Sequence, residues 1–156
     1  MVSDALLHLV RRTFALPLTS IHGEAHWQRV YDNGRRLAEQ TGADLRIVEL
    51  FAYLHDSRRE NDGWDHDHGR RAAELIRSLN DELLTLSGDD LDTLAFACTY
   101  HTDGLTEATV TIQTCWDADR LDLGRIGVRP NPQRLCTPAA QDPALIEWAW
   151  SRSRLR

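Results

Sequence analysis

Lysine is missing altogether from these 156 residues, and all 18 basic side chains are arginines. The positive charge therefore rests wholly on planar guanidinium forks, which suit bidentate contact with carboxylate or phosphate. Cysteine is scarce. Cys98, Cys115 and Cys136 are odd in number and no CxxC occurs, which argues against a disulfide framework and a thiolate zinc site. No long apolar run is present. The N-terminal stretch MVSDALLHLVRRTF is interrupted by His8 and carries Arg11 and Arg12. It reads as neither a secretory signal nor a membrane span. The expected location is therefore cytoplasmic, with no membrane partner. Internal repeats, low-complexity tracts and strand-like alternation are absent too.

What is present is an ordinary globular composition, 42% hydrophobic and 27% charged. The length fits one domain over residues 1–156, enough to bury a core without disulfides. The net charge of −6 argues against nonspecific nucleic-acid binding, which depends on neutralising phosphates. It leaves room for a small phosphorylated substrate held by a few local arginines.

Apolar residues recur with a helical period throughout. A short first helix is predicted over 2–15 and a longer one over 23–40, stopped by Thr41-Gly42. Asp44 can cap a third helix ending near His55. Its residues Ile47, Val48, Leu50, Phe51, Ala52, Tyr53 and Leu54 cover nearly every side, so it reads as a buried central helix. Residues 57–66 read as a loop. Asp67 or His68 opens the next helix through Leu79, and Asp89 or Asp90 another that ends near 101–104. A further helix is expected over about 110–123. Loops follow at Gly124–Pro132 and between Pro138 and Pro143, then a short helix with Trp148 and Trp150. The fold class is all-α, a bundle of about six or seven helices.

Four polar residues sit where a core would place apolar ones. His26 lies near the apolar stripe of the second helix. His55 and Asp56 end the most hydrophobic helix, where an ionised Asp is costly unless compensated, as a divalent cation can do. Ile112, Cys115, Trp116, Asp119 and Leu123 follow the i, i+3, i+4, i+7, i+11 pattern, so Asp119 replaces an apolar residue on an inward stripe. Asp117 lies about 160° round the wheel and is expected at the periphery; Asp122 borders the Asp119 face. Each has a plainer reading. A lone inward His is more often a hydrogen-bonded core residue, and an inward Asp an ion-pair partner, for example of Arg29 or Arg120. Together the four form an N/O ligand set suited to a divalent metal.

The ordered pattern, His26 in HWQRV, His55–Asp56 in FAYLHDSRR and Asp119 in DADRLDLGR, resembles the HD superfamily of metal-dependent phosphohydrolases. The resemblance spans about residues 20–127, leaving a C-terminal loop and helix over 128–156. It implies a helical bundle holding one divalent ion (Mn, Mg, Zn, Fe, Ni or Co) through His26, His55, Asp56 and Asp119. A second ion is implied if His68, in DHGRRAAEL, and His101, in YHTDG, join Asp56 as bridge. Against this, the loop before His68 is short and no HH pair occurs at His101. The plainer readings are a solvated helix N-terminus for His68 and a dipole-favoured C-terminal His for His101.

The activity implied is hydrolysis of a phosphoester, as in nucleotides, by a metal-activated water. Asp56, His101 and Asp122, with Glu24, are the candidates for catalysis and proton transfer. Arg58 and Arg59 are phosphate-clamp candidates and His22 a substrate-facing one, although a solvated loop explains the two arginines equally well. Two other functions fit the same pattern: a di-iron oxygenase, as a minority of the superfamily are, and a noncatalytic ligand sensor. A stand-alone enzyme is the simpler expectation. The Trp148 and Trp150 tail reads as a packing face, or as a homodimer contact if exposed.

Overall fold

A computed structural model describes residues 2–155 of the chain. The described residues contain helices and turns but no strand. The eight α-helices, numbered in chain order, are α1 (Asp4–Thr13), α2 (Glu24–Thr41), α3 (Leu45–Leu54), α4 (His68–Leu79), α5 (Gly88–Thr99), α6 (Val110–Arg120), α7 (Pro138–Gln141) and α8 (Pro143–Ser153). The bundle is all-α, with slightly more helices than the sequence suggested. The extra one is α7, read from the sequence as loop. Pro138 is its first residue, where the missing N–H costs nothing, and the Thr137 hydroxyl caps Ala140 N.

Local signals set the other helix boundaries. Ser3, Asp44, Ser87 and Asp142 accept hydrogen bonds from the first-turn amides of α1, α3, α5 and α8. Gly42, with φ 73°, ends α2 in the left-handed region. The segment after α4 continues as a π turn over Asn80–Leu84. Residues Leu123–Ile126 form a 3-10 turn after α6, where the sequence reading ended the helix near 123 and placed a loop from Gly124.

Helix α3 is central, packing against α1, α2, α5 and α6, while α4 pairs with α5. Helices α7 and α8 lie on α2. Gly34 lets α2 approach α3: a Cβ there would sit 2.3 Å from Val48 Cγ1. The core is built on Trp27, Phe51 and Trp116, all fully buried. Each such side chain stabilises the fold by about 1.5–3 kcal/mol through lost apolar surface. Their polar atoms are satisfied, since Trp27 Nε1 donates to His22 O at 2.8 Å and Trp116 Nε1 to Ala97 O at 3.0 Å. Cys98, Cys115 and Cys136 are free thiols. No helix among the described residues is long and apolar enough to cross a membrane.

Candidate metal centre

The buried ends of α2, α3, α4, α5 and α6 converge on one point. His26 comes from the first turn of α2, and His55 and Asp56 follow α3. His68 opens α4, His101 lies two residues after α5, and Asp119 is in the last turn of α6. The four histidines and Asp56 are almost wholly buried. Gly69 makes the α4 contribution possible. A Cβ there would lie 2.4 Å from Cys98 O and 2.8 Å from Thr99 O, so only glycine lets α4 bring His68 to the end of α5.

Every imidazole is held by its Nδ1. His26 Nδ1 donates to Asp122 Oδ2 at 2.6 Å and His55 Nδ1 to Phe51 O at 2.9 Å. His68 Nδ1 donates to Asp65 O and His101 Nδ1 to Cys98 O, both at 2.6 Å. Carbonyls and ionised carboxylates only accept, so each Nδ1 carries a proton, and each Nε2 faces inward, where the neutral imidazole presents a lone pair. Four lone pairs and two carboxylates aimed inward are unfavourable together unless a cation sits among them.

These donors fall into two sets. In the first, His26 Nε2 and His55 Nε2 are 3.2 Å apart, and both are 3.3 Å from Asp56 Oδ2. Asp119 Oδ1 is 3.3 Å from His26 Nε2 and 3.4 Å from His55 Nε2. In the second, His68 Nε2 lies 2.9 Å from His101 Nε2 and 3.1 Å from Asp56 Oδ1. His101 Nε2 is 3.4 Å from the same oxygen. Asp56 thus gives one oxygen to each set. Ligands about 2.1 Å from a common centre lie about 3.0 Å apart on an octahedron and about 3.4 Å on a tetrahedron. The observed spacings fit, and the buried His and Asp groups can hold a metal ion.

The electrostatics point the same way. Burial opposes ionisation of Asp56 and Asp119, but His55 and the surrounding imidazoles hold both carboxyls well below the usual range. Burial would depress His55, yet Asp56 and Asp119 outweigh it and push it up to about 10. Burial and the Arg125 charge likewise depress His26, and Asp119, Asp122 and Asp56 raise it above normal. His101 is lowered by burial. The first set therefore attracts positive charge strongly.

A cleft of ≈ 570 Å³ opens onto this cluster, with Asp56, His101 and Asp119 among its lining. Asp119 is the most accessible donor of the first set, its side chain 15% exposed.

Among solved structures of similar architecture is that of a predicted HD superfamily hydrolase from an uncultured Thermotogales bacterium. It aligns with a TM-score of 0.72 and 24% identity, covering 93% of this chain and 83% of that one. The chain has the HD-domain fold. A protein from Lactobacillus plantarum aligns with a TM-score of 0.62 and 20% identity, covering 97% of this chain and 92% of that one. No family model and no curated protein matches the chain. Identities this low carry the fold, and the chemistry rests on the residues.

Within the HD-domain fold, the six residues named as ligands from sequence, His26, His55, Asp56, His68, His101 and Asp119, come together as described. Asp122 does not reach the cleft as a proton-transfer group. Its side chain is 1% exposed and occupied by His26 and by Arg29, whose Nε lies 2.7 Å from Oδ1. It orients His26 from behind. Arg59 is buried, with Nε 3.4 Å from Asp56 Oδ1 and Nη1 bonded to Asn61 O and Gly63 O, so it braces Asp56 and the following loop.

Arg58 is exposed and lines a separate groove with Arg71 and Glu74, so it is not brought to the cluster. His22 is buried beside His26 and donates to Asp62 Oδ1 at 2.8 Å. Burial pushes it down to about 4. Glu24 pairs with Arg11 and does not line the cleft.

Asp117 corrects the sequence reading. It is fully buried, not peripheral, and accepts bonds from Cys136 N, Thr137 N and Thr137 Oγ1. The C-terminal segment covers that side of α6, which a wheel drawn from α6 alone does not show. Trp148 and Trp150 are half-buried under guanidinium groups, Arg36 and Arg152 over the first and Arg129 and Arg154 over the second.

Sequence reasoning missed four arginines that line the cleft, Arg120, Arg125, Arg129 and Arg134. A signal was available: residues 123–141 contain three arginines and no Asp or Glu in a chain of net charge −6.

Proposed function

We propose that this protein is a metal-dependent phosphohydrolase acting on a small phosphorylated compound, such as a nucleotide. The observation that carries the reading is the split of the two Asp56 oxygens between two sets of inward-facing histidines. His26, His55, Asp56 and Asp119 would hold one divalent ion, and His68, His101 and Asp56 a second. Bound there, such an ion supplies an activated water and neutralises phosphoryl charge.

The chain's own residues prepare the site. Asp122 and three backbone carbonyls keep the imidazoles as Nδ1–H tautomers. Arg59 steadies the Asp56 carboxylate between the two histidine sets. Asp119 and His101 border the cleft, where the reacting group would lie. Burial of the remaining donors keeps bulk water from competing for them.

The decisive experiment is Asp56→Ala. It should abolish bound metal, measured by elemental analysis of freshly purified protein, and phosphate release from a nucleotide and phosphomonoester panel. The helical circular dichroism should stay intact. Retained metal would sink the assignment. The second histidine set also keeps an oxygenase in view: bound iron with a mixed-valence spectroscopic signal and no phosphate release would favour it.

A further inference from the structure

On the reading above, the reacting group lies at the histidine–aspartate cluster, so cations on the wall of the same cleft can address charge next to that group, and Arg125 is near enough for its charge to depress His26. Residues 123–135 form that wall, and Arg125, Arg129 and Arg134 all line the cleft. They are not equivalent. Arg129 is paired with Glu147 at 2.8 Å and lies over Trp150. Arg120, the neighbouring cleft arginine, is spent on Arg134 O and Leu105 O. Among the described residues, Arg125 makes one bond, Nη1 to Asp122 O at 3.0 Å, has no carboxylate partner, and its buried Nε has no partner at all. A half-buried guanidinium left this unsatisfied is costly unless an anion compensates it. Arg134 is exposed and its guanidinium has no acidic partner among the described residues.

The wall is also rigid. A Cβ on Gly124 would lie 1.9 Å from Ser153 Oγ, so the wall sits directly on α8. Gly127, with φ 80°, makes the turn that follows, and Arg154 Nη1 donates to Gly124 O at 3.2 Å. Arg125, next to that anchor and half-buried, loses little freedom when it binds.

We propose that Arg125 and Arg134 bind a second anionic group of the substrate, making the preferred class an oligophosphate rather than a simple phosphomonoester. This rests on the phosphohydrolase reading for the position of the reacting group.

The test is calorimetric titration of the full chain, as purified and without added divalent ion, with pyrophosphate and with orthophosphate. Pyrophosphate should bind at least about tenfold more tightly. Arg125→Gln and Arg134→Gln should each weaken pyrophosphate by about tenfold, the effect of losing a charge-assisted contact. Arg35→Gln, an exposed arginine on α2 with a side chain 59% accessible, should leave it unchanged. Equal affinity for the two anions overturns the proposal, as does an unchanged affinity in both wall variants. An equal loss in the Arg35 variant also overturns it, since the effect would then be net charge. Arg134→Gln, at an exposed site, keeps the test decisive if Arg125→Gln does not fold. Metal content of Asp56→Ala reads the phosphohydrolase assignment separately, so the two can fail independently.

Discussion

Asp122 acts on the cluster without touching its open side. Its two oxygens are divided between His26 Nδ1 and the Arg29 guanidinium, so it fixes the tautomer and raises the basicity of the imidazole in front of it. Asp122→Asn can be accommodated sterically but presents a neutral amide to both partners. Metal affinity should fall about 10–100-fold with the helical content kept, as a competitive chelator titration would measure. An unchanged affinity would show that Asp122 only packs.

At this scale the sequence was informative about type and poor about depth. Asp119 was legible because it interrupts an apolar stripe. Asp117 was not, because its partners, Cys136 and Thr137, lie about twenty positions along the chain and return to cover it. Arg58 and Arg59 were equivalent as letters. The turn after α3 sends one inward and the other out.

The meeting of α4 with α5 decides whether a second histidine pair exists. The contact depends on Gly69, since the atoms a side chain would strike are the backbone carbonyls of Cys98 and Thr99 and cannot rotate away. Gly69→Ala should therefore push α4 outward and cost about 1–3 kcal/mol of stability. It should lower the melting temperature by several degrees and separate His68 from His101. Elemental analysis should then show less metal in the variant than in the parent protein, even at temperatures where it is folded. A variant with unchanged melting and metal content would show that the bundle relaxes around the new methyl group.

Helix existence was readable from period and caps, as with Asp44 before α3 and Gly42 after α2. Helix approach was not. Nothing local distinguishes Gly69, which sits at a crossing, from Gly88, which has open space around it.

Across the whole molecule, the buried charges make stability depend on pH and on metal together. In the metal-free protein, His55 is raised from 6.5 to about 10 and His26 is raised too. Their contribution is complete below about pH 6.5 and is lost as pH rises through the raised values, near 10 for His55. Asp56 and Asp119 are depressed, so theirs is present above about pH 4 and lost in acid. His22, lowered to about 4, favours the folded state above about 6.5 and opposes it as pH falls towards 4.

The metal-free melting temperature should thus peak near pH 6.5 and decline on the alkaline side. Added Mn should raise it by an increment that grows from pH 6.5 to 9.5, as the ion replaces lost protons. A flat increment would show that these imidazoles are neutral throughout.

The bond between His26 and Asp122 joins positions 96 apart in the chain, and that span bears on when in folding the cluster could take up an ion. An unfolded chain offers a cation only local fragments, such as His55 beside Asp56 or Asp65 to His68, each a weak partial site. The full set exists once α2, α3 and α6 have docked, after the slow long-range closures are over. An ion bound there would arrive late and work as a latch: it should slow unfolding and leave the folding rate nearly untouched, as stopped-flow kinetics with and without Mn would measure.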